Sequence, residues 1–566
     1  MLGAALLPID TSTASASGTP GAEQSTGPLD RFVKRYMETM HAPGMTVALL
    51  ADDQVTSRAF GYGNSQARLP VAVEQPFWIG SICKSFVGIV AMQLLDEGKL
   101  DLHKPVLEIM PDLPFVNDFG PITAHHLLTH TSGLPNWLQL FSSDPSQRAK
   151  QAYAPGDRFA YCNLGYDTLG LLIAHLDGQR WPEVVTARVF RPLGMAGASG
   201  QIDDSVQARM PTGYQFQYRD RSCTVADPLV ASGYVLMSNA AGSIAATADD
   251  MAKYMRMLVR RGIGPAGRIV SEEGFKLFST PYIKAPVLSP NASYGYGVGV
   301  ETIDGRMMLR HTGGATAFAS SILVDLDGGV GAFASINAMQ EYRPNPVTKF
   351  AVDLLYAEKS RRTAPKEPGI ENPLDCKRPE EFGGVYKSTD GETLTVKAQG
   401  SSLVLTGVRG MTSLRSLGPD LFSAADGRVL DGGGSTDAPS EFALIFERDK
   451  SASSPGVIGL SYGPRWYAGE RFHGPHEDSR MEEAERYKGV YTNDSPWMSP
   501  LRVVERNGKL WLDGVEELHS TGIDRFAVNG GEGTLELEFV SFLDGRAQML
   551  KINGDVLRRV ALIAST

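Results

Sequence analysis

Phe77-Trp-Ile-Gly-Ser-Ile-Cys-Lys84, continued by Ser-Phe-Val-Gly-Ile-Val-Ala-Met-Gln-Leu-Leu95, is the stretch around which the rest of the chain arranges itself. Phe86, Val87, Val90, Ala91, Leu94 and Leu95 recur at helical spacing and the run closes near Glu97-Gly98, so the pattern predicts a helix that Ser81 opens. Lys84 then lies one turn on, its amine on the same face as the Ser81 hydroxyl. An alcohol becomes a nucleophile only beside a base, and the partial positive charge of a helix N-terminus favours both a neutral lysine and a developing alkoxide. Ser81 is therefore the candidate nucleophile, with Lys84 taking part in its deprotonation. Alone, the S-x-x-K pattern is weak, because a serine at a helix start is ordinarily a cap and the lysine ordinarily solvated.

Two further pieces stand downstream. Tyr161-Cys-Asn163 follows the turn Ala154-Pro-Gly-Asp157 and precedes the helix-like run Leu164 to Leu176, which puts it at a loop-to-helix junction. A tyrosine beside a lysine can act as general base and return the proton to a leaving group, while the Asn163 amide orients Lys84 and a substrate carbonyl. The ordinary alternative is a core tyrosine with an asparagine N-cap. His311-Thr-Gly-Gly314 lies between two strand-like runs, Met307 to Arg310 and Ala317 to Val324, where glycines let a substrate backbone approach a strand edge. Acyl transfer needs two N–H groups aimed at an oxyanion, and the amides of Ser81 and Gly314 are the candidates. A tight hairpin bearing a surface histidine is the competing reading.

In this order, Ser81-x-x-Lys84, Tyr161-x-Asn163 and His311-Thr312-Gly313 resemble the motifs of serine β-lactamases and penicillin-binding proteins, in particular the class C and D-peptidase branch. Gly98-Lys-Leu-Asp-Leu102, His126-Leu-Leu-Thr-His-Thr-Ser-Gly-Leu134 and Ala240-Ala-Gly-Ser-Ile-Ala-Ala-Thr-Ala-Asp-Asp-Met251 are also similar to stretches of that family, and the likeness covers about residues 29 to 357. It implies an α+β fold: a β-lactamase/transpeptidase-like domain, with an antiparallel sheet flanked by helices beside a helical region and the site between them. It also implies acylation of Ser81 and then deacylation, with Ser81, Lys84 and Tyr161 catalytic, Asn163, His311, Thr312, Gly313 and Gly314 binding substrate and oxyanion, and no metal or cofactor. Which of Lys84 and Tyr161 is the kinetic base stays open, since the two titrate as a pair.

Where a lysine is usual in β-lactamases this chain has His311, as in some D,D-carboxypeptidase-like and D-aminopeptidase-like members. A histidine is only partly charged near neutrality, so it holds a β-lactam carboxylate less firmly than a fixed cation. The expectation is thus a serine peptidase acting on short peptides or amino-acid amides, including D-residue-containing or linearised non-ribosomal peptides. A carboxylesterase or weak β-lactamase on the same scaffold is the alternative, and a non-catalytic binding protein the remote one.

Beyond about Ala357 the chain changes character. Lys359 to Pro379 is basic and proline-rich, and after it come short β-like runs separated by Gly, Asp and Asn turns. Glu381-Phe-Gly-Gly-Val-Tyr386 aligns with Arg486-Tyr-Lys-Gly-Val-Tyr491, and each precedes a strand, a Gly turn and a second strand, Gly400-Ser-Ser-Leu-Val-Leu405 and Gly508-Lys-Leu-Trp-Leu512. This predicts two small antiparallel, lipocalin-like β-barrels, with one larger sandwich as the alternative. The expected organisation is a leader or disordered tail over 1–27, the hydrolase domain over 28–358, a linker over 359–379, a first barrel over 380–475, a linker over 476–485 and a second barrel over 486–566.

Composition narrows the remaining possibilities. The 566 residues carry a formal charge of −10, which disfavours a nucleic-acid or anionic-membrane partner, and at 42% hydrophobic and 21% charged the chain is of ordinary globular type. No apolar run reaches the length of a membrane span. Partners are thus expected to be small peptide, amide or ester substrates, with oligomeric state open. His126 and His130 have helical i,i+4 spacing beside His125, but no glutamate lies between them as a zinc H-E-x-x-H motif requires, so a structural role is expected. Cys83 and Cys162 occupy the variable positions of their motifs and read as core filler. Met1 to Pro8 is apolar and small and Thr11 to Thr26 is rich in Ser, Thr, Ala and Gly, which reads as a clipped export signal for a periplasmic or secreted protein; the basic n-region is missing, and a plain tail on a cytoplasmic protein is the other reading.

Overall fold

A computed structural model of the chain describes residues 27–134, 148–338, 343–431, 438–449, 456–474, 479–493, 499–530, 533–552 and 555–560. Residues 1–26 of the expected leader, part of the expected second linker and the last six residues of the expected second barrel lie outside the described residues.

The chain enters through α1 (Pro28–Thr39), with proline at its start, Asp30 in its first turn and Leu29, Phe32, Val33, Tyr36 and Met37 buried along one stripe. It feeds an antiparallel sheet formed by β1 (Gly44–Ala51), β2 (Gln54–Asn64), β3 (Leu69–Pro70), β4 (Ile283–Lys284), β5 (Ser293–Tyr294), β6 (Gly299–Ile303), β7 (Arg306–Gly314), β8 (Ala319–Asp325) and β9 (Val330–Ile336), in the spatial order β4-β5-β6-β7-β8-β9-β1-β2-β3. Its first and last strands in sequence meet inside the sheet, where β1 pairs with β9 in the register Met45↔Ile336. Successive residues of β1 alternate between two cores. Met45, Val47 and Leu49 face α1 and α5 (Asn345–Lys359), whereas Ala48 and Leu50 face α2 (Cys83–Asp96) and α4 (Ala248–Val259). Both faces are covered, so β1 reads as a continuous apolar run.

α2 is buried from Cys83 to Leu94, packed against α3 (Asn163–Asp177) and the short helix Glu272–Phe278. A helix this enclosed needs no polar face, and the buried Lys84 nitrogen within it must be paired.

The C-terminal third forms two β units with separate cores. β10 (Gly384–Lys387), β11 (Thr393–Gln399), β12 (Ser402–Gly407), β13 (Gly410–Gly418), β14 (Leu421–Ala424), β15 (Leu444–Arg448), β16 (Val457–Tyr462) and β17 (Arg465–Gly469) close into a barrel, β10 pairing with β17. The second unit is a nine-stranded sheet of β18 (Gly489–Thr492), β19 (Leu501–Arg506), β20 (Lys509–Leu512), β21 (Glu516–Glu517), β22 (His519–Gly522), β23 (Arg525–Gly530), β24 (Gly533–Leu543), β25 (Arg546–Ile552) and β26 (Asp555–Val560). Its edges are β21 and β22, which only Leu518 separates in the chain, so the sheet curls nearly to closure and leaves a seam of two short strands. The repeat is physical: Tyr386 donates to the Phe382 carbonyl and Tyr491 to the Tyr487 carbonyl, both at 2.8 Å, and both phenols are buried.

Both β units bond to one hairpin of the N-terminal part, Tyr214–Phe216 with Leu229–Ala231. Arg415 pairs with the buried Asp227, Arg221 donates to the Pro439 carbonyl at 3.0 Å, and Arg502 bonds Asp220 from the second unit while also pairing with Glu441 of the first. Among the described residues no helix is long and apolar enough to cross a membrane.

Candidate active site

Ser81 sits in a single 3-10 turn, Gly80–Ile82, immediately ahead of α2, so it precedes the α-helix by two residues instead of opening it. Lys84, in the first turn of α2, is fully buried. Its Nζ lies 3.1 Å from Ser81 Oγ, 2.7 Å from Asn163 Oδ1 and 2.7 Å from the Ala241 carbonyl oxygen. An ammonium has three protons for these three acceptors, whereas a neutral amine, its two N–H groups held by Asn163 and Ala241, turns its lone pair to Ser81. The two carbonyls thus aim the exchangeable position of the nitrogen at the hydroxyl.

Cys162, not Asn163, takes the cap of α3. The Cys162 Sγ accepts the Gly165 N–H at 3.3 Å, which makes Asn163 the first residue of α3 and the cap a cysteine where the ordinary reading had asparagine. Burial pushes the thiols of Cys83 and Cys162 up to about 12, so neither is a thiolate at neutral pH.

Tyr161 completes this side. The Lys84 Nζ lies 4.9 Å from its ring centroid, the His130 ring 4.3 Å away and the His311 ring 6.5 Å away.

His311 is an inward residue of β7, paired with Ile322 of β8, and is 2% exposed, so the segment does turn back as a β7–β8 hairpin but its histidine is buried, not on the surface. Its Nδ1 lies 2.6 Å from the Thr312 carbonyl and its Nε2 3.0 Å from the Tyr294 hydroxyl. A carbonyl only accepts, so the proton is on Nδ1 and Tyr294 donates to Nε2. Burial, reinforced by the nearby Lys84 charge, pushes this imidazole down to about 3. The partly charged histidine expected from the sequence is thus a neutral ring with both nitrogens engaged. A nearby cation is Arg343, whose Nη1 donates to Thr312 Oγ1 at 2.7 Å.

Two glycines bring the strand and the serine turn together. Gly80 has φ +55°, and a Cβ on it would lie 2.8 Å from Gly314 N and 2.7 Å from Gly314 O. A Cβ on Gly313 would lie 1.8 Å from the Ile79 carbonyl oxygen. Only bare backbones approach this closely, and a Cβ on Gly313 would also lie 3.3 Å from Ser81 N.

Three residues here were not singled out from the sequence for the parts they play. Ala241 supplies the Lys84 acceptor from within the quoted stretch Ala240–Met251, and Trp78, Cys83 and Asp167 hold that stretch through Gly242 O, Ala240 O and Ala241 N respectively. Asp167, one helical turn after Asn163, has its carboxyl raised to about 6 by burial, against the lowering effect of Lys84. The i,i+4 spacing Asn163–Asp167 is the signal that would have revealed it. Arg343 has no such signal, since only tertiary folding brings it to Thr312. The histidines weighed as metal ligands do other work: His126 forms a capping box with Thr123, and His125 Nδ1 lies 2.8 Å from the Tyr296 hydroxyl.

A family model described as Beta-lactamase matches residues 29–357, more than half of the chain. The chain belongs to the β-lactamase family. Curated relatives include Protein Rv1367c of Mycobacterium tuberculosis, 28% identical over 257 residues (39% of this chain and 63% of that protein), and Penicillin-binding protein 4 of Amycolatopsis lactamdurans, 26% identical over 247 residues (41% and 63%). The matched segments span a little under two thirds of these relatives. Among solved structures, the octameric penicillin-binding protein homologue from Pyrococcus abyssi superposes with a TM-score of 0.54 at 24% identity, covering 78% of this chain and 100% of that one. That likeness shows the fold. Members of this family are serine hydrolases in general, and this chain carries the fold with two β units at its C-terminus.

Proposed function

We propose that this chain is a serine peptidase that cleaves short peptides or amino-acid amides through an acyl-enzyme on Ser81. The observation that carries the reading is the buried Lys84, whose nitrogen is aimed at Ser81 Oγ by two carbonyl acceptors. In the proposed reaction Ser81 Oγ bonds to the scissile carbonyl carbon as its proton passes to the Lys84–Tyr161 pair, and the carbonyl oxygen takes the negative charge against the amides of Ser81 and Gly314. Collapse breaks the C–N bond, and the proton returns to the departing amine through Tyr161. Water then adds to the ester, its proton taken by the same pair, and Ser81 is released with the acid product.

Substrate choice follows from charge. With His311 neutral, the cation beside the strand is the Arg343 guanidinium, whose planar fork suits a carboxylate. A short peptide ending in a free carboxylate, including one with a D-residue at the cleaved bond, fits this arrangement. Export to the periplasm or medium belongs to the same reading.

Intact-protein mass spectrometry after incubation with a penicillin, a fluorophosphonate and a panel of L- and D-amino-acid amides and esters tests it, wild type beside Ser81→Ala. The expected result is a Ser81-dependent adduct with amide turnover, reduced by roughly 10⁴-fold or more in Ser81→Ala. Turnover confined to esters would make the protein a carboxylesterase, and no adduct with any probe would leave a binding role.

A further inference from the structure

His130 is a buried titratable side chain that the proposed chemistry leaves without a task. It is 1% exposed and lies within ring-contact distance of four aromatic side chains, Phe159, Tyr161, Tyr166 and Tyr294. Two hydrogen bonds tie it to the loop carrying Tyr161. The Ala160 N–H donates to the His130 carbonyl at 2.9 Å, and the Cys162 N–H donates to His130 Nδ1 at 3.0 Å. The residues on either side of Tyr161 are therefore both anchored to His130, and its ring lies 4.3 Å from the Tyr161 ring, tilted by 37°.

Two features show that the fold holds a histidine here against its local preference. The backbone has φ +56°, a left-handed conformation that glycine adopts freely and a side chain resists. Because Nδ1 accepts the Cys162 N–H, the ring proton sits on Nε2, and Nε2 has no hydrogen-bond partner among the described residues. A left-handed backbone and an unpaired buried N–H carry a cost, and such features cluster where the surrounding fold holds a residue for a role.

We propose that His130 is a positioning residue for Tyr161, fixing the phenol relative to Lys84 by clamping the backbone on both sides of it and packing against its ring. The inference rests on the serine-hydrolase reading above. It assigns His130 no contact with substrate and no proton to carry. Burial holds the imidazole well below its usual range, helped by the nearby Lys84, so it stays neutral. Lys84, His311, Tyr161, Tyr166 and Tyr294 are the titratable groups that face it.

His130→Gly removes the ring and the Cys162 bond while relaxing the backbone, and His130→Asn tolerates the left-handed conformation and offers Oδ1 to the Cys162 N–H. Pre-steady-state acylation by an ester substrate is compared in both with wild type and Ser81→Ala, each rate normalised to active sites titrated with a fluorophosphonate. The expected outcome is an acylation rate lower by roughly 100-fold in His130→Gly, with KM little changed, a displaced pH–rate profile, and partial recovery in His130→Asn. A purely structural residue would reduce the active fraction and the melting temperature and leave the rate per active site and its pH profile as in wild type, and that result overturns the proposal. Absence of Ser81-dependent turnover in wild type would instead overturn the hydrolase reading. The positioning claim is then decided by ¹³Cζ-tyrosine NMR, with the Tyr161 signal assigned through Tyr161→Phe. Its resonance is expected to move in His130→Gly and return toward wild type in His130→Asn, and an unmoved resonance refutes the clamp.

Discussion

Lys84 concentrates the physics of this protein into one side chain. An uncompensated buried ammonium is costly, and here the Asn163 and Ala241 carbonyls offset that cost while leaving the nitrogen directed at Ser81. Lys84→Met keeps the length and removes the charge. It is expected to leave the fold intact by circular dichroism while acylation by a fluorophosphonate slows by roughly 10³-fold. Other buried groups set a pH signature of stability. His311 titrates near 3 in the folded chain and near 6.5 unfolded, and His130 is displaced the same way, so the unfolded chain takes up protons first as pH falls. Their stabilisation is complete above about 6.5 and is lost on acidification, at up to about 1.4 kcal/mol per pH unit for each. Asp167 runs oppositely: raised from 3.8 to about 6, it favours the folded state at low pH and loses that contribution as pH rises through about 6. Asp167→Asn should therefore steepen the fall in urea midpoint between pH 6 and 4, and a shallower fall would contradict the assignment.

Among the elements, the junction of β7 with the Ser81 turn governs the site. Gly313 has no room for a methyl group against the Ile79 carbonyl, so Gly313→Ala must push β7 away from the turn and separate the Ser81 and Gly314 amides. Acylation is expected to drop by roughly 10² to 10³-fold, the loss typical of one oxyanion donor, while far-UV circular dichroism stays that of wild type. At α3, the Cys162 cap is separable from the chemistry. Cys162→Ala removes the acceptor of the Gly165 N–H and should lower stability by about 1 kcal/mol in chemical denaturation.

For the whole molecule, the hairpin Tyr214–Ala231 is the place where scaffold and β units meet, and the chain leaving it runs on to Ala241, the Lys84 acceptor. Asp220 and Asp227 hold the second and first units respectively. Asp220→Ala combined with Asp227→Ala is expected to loosen both units, seen as a larger radius of gyration in X-ray scattering and faster proteolysis between residues 359 and 379. Because the same segment ends at the acceptor carbonyl, kcat/KM should also fall several-fold, equivalent to roughly 1 kcal/mol of coupling. Unchanged scattering would show that these pairs do not secure the units.

The sequence alone determined what depends on local pattern. The helix after Ser81 follows from apolar periodicity, and the doubled β unit from the alignment of Tyr386 with Tyr491. The order of the three motifs was legible for the same reason, each being a short run of chain. Tertiary structure alone decided the charge and tautomer of His311, because they depend on burial and on Tyr294, 17 residues away. It likewise brought Arg343 to Thr312, Ala241 to Lys84 and His130 to both flanks of Tyr161. Electrostatics and hydrogen bonding act between neighbours in space, and a linear pattern records only neighbours along the chain.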